Sequence, residues 1–122
     1  MDISIYLKAL VEADNAPVVI CDIDHIIVYM NKAAINRYEK WGGIKLLGSS
    51  LLNCHNHDSN DKIKRVMEWF MASEENNRVF TFRNDKEDVY MIALRDDKQN
   101  LIGYYEKHEY RTAENGKLYD LK

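Results

Sequence analysis

The sequence predicts a single α+β domain, built as one antiparallel sheet with helices on one face. Three observations predict it. The chain has 122 residues, 46% of them hydrophobic, which is one domain's length and enough apolar material for one core. Its periodicities run in the order helix, two strands, short helices, one longer helix, three strands. The last three strands are joined by polar linkers of hairpin size at 84–88 and 96–100, so they are antiparallel neighbours. Helices grouped apart from such a run of strands pack as a layer on one side of the sheet. A domain of this length buries roughly two-thirds of its unfolded surface, so neither disulfides nor metal staples are needed.

Residues 4–14 predict an amphipathic helix, because Ile3, Leu7, Leu10 and Val11 recur at helical spacing with Lys8 and Glu12 on the other side. Asn15-Ala16-Pro17 ends it, since proline disfavours helix at the residue before it. The β-branched run at 17–22 and the run Ile-Ile-Val-Tyr-Met at 26–30 predict two strands, with Ile23-Asp24-His25 as a tight hairpin between them. Both are apolar on both faces, which predicts a central or doubly covered sheet. Asn31 suits the cap of a helix over 32–40 whose apolar residues are Ala34, Ile35 and Tyr38, followed by Trp41; Gly42-Gly43 ends it. Residues 44–52 are short and irregular.

The clearest helix spans 58–72, where Ile63, Val66, Met67 and Phe70 form a stripe. Asp58 is placed to cap it, and Asp61 to put a second carboxylate in the positive first turn. Strands are predicted at 78–83, 89–95 and 101–109. Periodicity fades after Arg111. The expected division is an N-terminal helix at 1–15, a core at 16–110 and a C-terminal tail at 111–122.

Lys and Arg number 17 and Asp and Glu 20, a net charge of −3, with no run of five like charges. Nucleic-acid binding needs a clustered basic face, so no nucleic-acid partner is expected. Cys21 and Cys54 lie far apart and form no CxxC, as expected of free thiols in a reducing compartment. Met1-Asp2-Ile3-Ser4 has no basic or apolar leader region, and the apolar runs are too short to span a bilayer. A soluble, cytoplasmic protein without membrane attachment is expected.

The stretch from Asp22 to Ala34, Asp-Ile-Asp-His-Ile-Ile-Val-Tyr-Met-Asn-Lys-Ala-Ala, resembles the Asp-x-Asp-Gly-x-Ile-x-Tyr-x-Asn-x-Ala-Ala pattern of the PAS family. Gly48-Ser49-Ser50-Leu51 resembles the family's Gly-x-x-Leu before its long helix. The likeness covers about residues 7–110. His25 stands where the family prefers Gly, at a position that usually needs a left-handed backbone; His adopts it at some cost. Cys54-His55-Asn56-His57-Asp58-Ser59 is similar to a Cys-His-x-Pro-x-Ser segment of a subset of bacterial PAS domains, with His57 at the Pro position.

The resemblance implies a PAS-like (profilin-like) five-stranded antiparallel sheet in the order 2-1-5-4-3, with helices on one face and an N-terminal helix. It implies a pocket between sheet and helices that in some members holds haem, flavin or a small metabolite. It also implies a signalling sensor, not an enzyme, that homodimerises through its N-terminal helix and passes a signal to a protein partner. With no output segment in this sequence, the module is expected to act through a separate partner or to be a piece of a longer protein.

Cys54, His55 and His57 are the metal-ligand candidates, since thiolate and imidazole suit zinc, copper or iron. Their spacing is too compressed for a standard zinc site, and no second ligand pair lies at a familiar distance. The plainer reading is a loop in which Asp58 caps the helix and Cys54 or His55 packs beneath it. A nucleophilic Cys54–His55 pair is a third reading, with no evident orienting group or oxyanion hole. Asn53-Cys54-His55 shares only two positions with the Asn-Cys-Arg motif of flavin photosensors, so no flavin adduct is expected. No cofactor is required; a haem or small organic ligand is the candidate.

The expected pocket lining is Val66, Met67 and Phe70 on the long helix and Tyr29, Met91 and Tyr105 on strands, with His55 nearby. Alternation along each strand leaves open which of these point inward. The stripe of Ile3, Leu7, Leu10 and Val11 has two readings, a cover for its own sheet or a surface for a second copy. Three functions are consistent with these features: a ligand-binding signalling module, a ligand-free homodimerisation domain, or a small Cys/His enzyme.

Overall fold

The computed structural model describes residues 1–54, 57–112, 116–119 and 121, and of Cys54 and His57 only the backbone. Helix α1 (Ser4–Glu12) leads into strands β1 (Val18–Asp22) and β2 (Ile27–Met30). Helix α2 (Lys32–Arg37) and three single-turn 3-10 segments (Glu39–Trp41, Gly43–Leu46, Leu51–Cys54) come next. Then come α3 (His57–Ala72), β3 (Arg78–Arg83), β4 (Glu87–Arg95) and β5 (Leu101–Tyr110). The strands form one sheet in the order β2-β1-β5-β4-β3, with every neighbouring pair antiparallel. This is the sheet order that the family resemblance implies.

Several boundaries differ from the sequence-based expectation, each for a local reason. The helix expected over 32–40 stops at Arg37 and tightens into a 3-10 turn before Gly42, whose φ of 126° only glycine adopts readily. α3 begins at His57, so Asp58 lies inside the first turn instead of capping it, and Asp61 falls just beyond that turn. β4 starts at Glu87 because the Asn84 side chain accepts from the backbone N–H groups of Lys86 and Glu87, both at 2.8 Å, and closes the hairpin early.

The expectation of two doubly covered strands holds for β1 alone. It pairs on both sides and buries Val18, Val19 and Cys21. β2 is an edge strand whose Val28 is 54% exposed.

The core lies between the sheet and the α2–α3 layer. Val19, Cys21, Ile27, Met30, Met91 and Tyr104 of the strands meet Ala34, Leu51, Ile63, Met67 and Phe70 from the helical side. Burying each large apolar side chain contributes about 1.5–3 kcal/mol, so α3 is held chiefly by its stripe. Its C-terminal end is held by Arg95, whose guanidinium donates to the carbonyls of Phe70 (2.7 Å) and Ser73 (3.1 Å) and to the Asn77 side chain (2.6 Å). These carbonyls have no partner within the helix, and a cation there also suits the helix dipole.

Asn31 is the polar pivot of the fold and is fully buried. Its Oδ1 accepts from Ala34 N (2.9 Å), capping α2, and from Val18 N (3.0 Å), fixing the start of β1. Its Nδ2 donates to the carbonyls of Val11 (3.1 Å) and Ala16 (3.0 Å), which ties down the exit from α1. In the β1–β2 turn, Asp22 Oδ1 accepts from Asp24 N and Ile26 N, and His25 takes the left-handed conformation at φ 67°. The turn thus keeps the geometry that glycine usually supplies. Gly103 is required for another reason: a Cβ there would sit 2.2 Å from the Cys21 carbonyl of the paired strand.

Candidate functional site

Between the sheet and the α2 side of the helical layer lies a partly enclosed apolar cavity of about 90 Å³. Val19, Ile27 and Met30 form its sheet side, and Trp41, Leu46 and Leu51 of the 3-10 turns close over it. Two polar residues share the wall, Tyr38 and Glu106. The turns form here because Gly42 and Gly43 adopt positive φ and let the chain fold back after Trp41.

Behind this wall stands a polar cluster drawn from three elements. β5 brings Glu106 and His108 to the helical face at positions two apart. β4 brings Glu87, and the end of α2 brings Arg37 and Tyr38. His108 is 4% exposed. Its Nδ1 lies 3.3 Å from Glu87 Oε1, and its Nε2 lies 3.3 Å from the Tyr38 hydroxyl and 3.6 Å from Glu106 Oε1. Tyr38 donates to Glu106 Oε1 at 3.4 Å. Arg37 grips both oxygens of Glu87 at 3.1 and 3.3 Å.

Burial, followed by the charge of Glu106, pushes the Tyr38 hydroxyl well above the usual tyrosine range, so it remains a donor. Burial by itself would raise the Glu87 carboxyl. The hydrogen bonds and charge of Arg37, with a smaller contribution from His108, outweigh it and hold Glu87 below its ordinary value. A second, partly buried contact lies at the β1–β2 turn, where His25 Nδ1 stands 2.8 Å from the Tyr104 hydroxyl. Burial and the charge of Lys64 lower His25 against the opposing pull of Asp22 and Asp24.

The residues expected to line a ligand pocket do not gather in one place. Met67, Phe70 and Met91 lie on the inner side, buried in the core. Val66 lines an open groove of about 520 Å³ between α3 and the edge strand β3, together with exposed Asp58, Asp61 and Trp69. That groove is the larger space, but its walls are mostly solvated and bring no buried polar group together.

Tyr29 and Tyr105 face away from the helical layer. Tyr29 pairs with Ile20 and Ile20 with Tyr105, so all three share the outer face of the sheet. There Tyr29 donates to Glu12 of α1, and Tyr105 lines a groove of about 360 Å³ with Leu10, Val11 and Leu94. His55, expected beside the pocket, lies outside the described residues, as do the side chains of Cys54 and His57. Among the described residues, no group of three His, Cys, Asp or Glu side chains is placed to hold a metal ion.

Of the seven expected residues, none of the six that the structure describes lines this partly enclosed cavity. Tyr38 and Glu106 were missed as site residues, as were Glu87 and His108. A signal was present: Tyr104, Glu106 and His108 alternate along the last strand, placing an acid and an imidazole on the same face as a core aromatic. The contact with Tyr38, 68 residues away from Glu106, is beyond any local pattern.

No family model matches the sequence, and no curated protein matches it. Solved structures do match. The C-terminal domain of a protein from Streptococcus mutans is 20% identical, with 85% of this chain and 81% of that one covered and a TM-score of 0.67. A sensory box sensor histidine kinase from Vibrio cholerae is 16% identical, covering 90% and 92%, with a TM-score of 0.62. The PAS domain of a protein from Colwellia psychrerythraea is 14% identical, covering 89% and 97%, also with a TM-score of 0.62. With the sheet order and helical layer described above, these likenesses establish the PAS fold for this chain. No helix among the described residues is long and apolar enough to cross a membrane.

Proposed function

We propose that this chain is a signal-transduction sensor module of PAS type. It takes a small ligand in the cavity above β1 and β2, works as a homodimer through α1 and the outer sheet face, and signals to a protein partner in the cytoplasm. It binds and does not catalyse. The observation that carries this reading is the cavity itself: apolar walls with an acid and a phenol at one side are how small-molecule sites combine affinity with orientation. The PAS fold supports a sensor role as an analogy of fold.

The cavity limits what the ligand can be. Pockets for drug-sized ligands occupy about 300–1,000 Å³, several times the 90 Å³ available. A haem or a flavin does not fit it, so the ligand we propose is a small organic molecule.

A second reading is a ligand-free homodimerisation domain. Two observations favour it: the cavity is small, and no residue of α1 is buried. A native mass spectrum of the protein at neutral pH tests both readings. The expected result is a dimer carrying the mass of a small adduct. A dimer that stays bare after exposure to candidate metabolites supports the second reading, and a bare monomer at micromolar concentration overturns both.

A further inference from the structure

Six of the eight residues around the cavity above β1 and β2 are apolar, and the two polar ones are already committed. A tyrosine has one hydroxyl proton, and Tyr38 donates it to Glu106. The Tyr38 oxygen stands 3.3 Å from His108 Nε2. Glu106 faces the same nitrogen at 3.6 Å, shares an open cleft of about 230 Å³ with Lys62 of α3, and has a further interaction besides. Trp41 is engaged too, with the Lys40 ammonium 5.0 Å from the centre of its ring.

Taking the cavity as a sensor's ligand site, we propose that its ligand is an uncharged, apolar molecule of about three carbons, of the class of the short hydrocarbons. The size follows from the volume: 90 Å³ is the room of about three water molecules at about 30 Å³ each. The polarity follows from the walls. Water is held inside a protein by two to four polar partners, and here the acid and the phenol stand together at one side with their bonds made. An apolar molecule therefore displaces little bound water, and each CH2 it takes out of water tightens binding about fourfold. A cation gives up its hydration to meet a carboxylate that already has His108 and Lys62 beside it, and a ring that already has Lys40 over it. An anion meets the carboxylate itself. A hydroxyl loses its hydrogen bonds to water and regains them only by competing with the Tyr38–Glu106 contact.

The test is a titration of the full chain, labelled at its methionine methyl groups, with propane, 1-propanol, propylammonium and propionate in turn at constant ionic strength. The Met30 methyl reports the cavity, and Met71, 70% exposed on α3, reports contact with the surface. Propane is expected to shift Met30 and leave Met71 in place, with a Kd about tenfold below that of 1-propanol and further below those of the two ions. Equal or tighter binding of 1-propanol or of either ion overturns the apolar class and leaves the cavity a general small-ligand site. If none of the four moves Met30, the ligand reading of the cavity falls as well. If propane moves Met71 as far as Met30, it acts on the surface and the assignment to the cavity falls.

Discussion

Helix α3 buries Ile63, Met67 and Phe70 against the sheet, whereas α1, with similar apolar spacing, leaves Ile3, Leu7 and Leu10 exposed at 55%, 53% and 70%. The two helices are also held differently. α3 is held by packing and by Arg95 at its end. α1 is held at its C-terminal end by polar contacts: Asn31 to the Val11 carbonyl, Tyr29 to Glu12, and Lys107 to Asp14 at 3.2 Å. Amphipathic spacing therefore says that a helix has a face to cover, and leaves open whether its own chain covers it. Polar tethers fix where α1 sits while most of its apolar side chains remain at the surface.

The largest effect is expected at α3. Phe70→Ala removes a fully buried ring and should cost about 3–5 kcal/mol in chemical denaturation. A loss below about 1 kcal/mol, the ordinary size for an unremarkable position, would mean that α3 is not the packed helix described. Next comes the paired substitution Leu7→Asp with Leu10→Asp. If α1 serves a second copy, light scattering should show the dimer replaced by monomer. The variant's unfolding free energy, set against that of wild-type monomer at high dilution, should change by no more than about 0.5 kcal/mol, as for other exposed positions. A loss comparable to Phe70→Ala would instead mean that α1 covers its own sheet.

The smallest effect concerns the Tyr29 tether. Its hydrogen bond to Glu12, then burial and the Glu12 charge, push the Tyr29 hydroxyl up to about 12 from an ordinary value of 10.0. A folded-state value raised in this way contributes stability that is complete below about pH 10 and lost as the pH rises towards about 12. Between those limits wild type should lose more stability than Tyr29→Phe. Other tyrosines, among them Tyr90, are raised as well, so both proteins destabilise in alkali and only their difference reports the tether. Identical alkaline profiles would remove Tyr29 from the anchoring of α1.

Much of the fold was legible in the sequence. The strand at 78–83 was placed at its observed bounds, and Asn31 was identified as a cap. The left-handed turn position at His25 followed from a resemblance in which glycine usually occupies that site. The site was much less legible. Met67 and Phe70 lie on the inner face as the helical stripe suggested, and Met91 joins them there, yet all three fill the core instead of lining the cavity. Which way Tyr29 and Tyr105 point was left open by the sequence, and both lie on the outer face. For Tyr29 the reason is that the β1–β2 register shifts between Ile20 and Cys21, and a shift of one residue exchanges the two faces of a strand, whereas Tyr105 simply alternates with buried Tyr104. No count along an apolar run reveals such a bulge.

The sequence by itself determined the kinds of element and their order, because helical spacing, strand composition, caps and turns act over a few neighbouring residues. It also carried enough of a family pattern to imply the sheet order. The tertiary structure decided which side of each strand looks inward and which polar groups meet. Glu106 and His108 are brought to Tyr38 across 68 and 70 residues, and His108 to Glu87 across the β4–β5 pairing. The same applies to the two helices: spacing gave each an apolar face, and only the packing of the whole chain showed that α3 buries its face while α1 keeps most of its own in solvent.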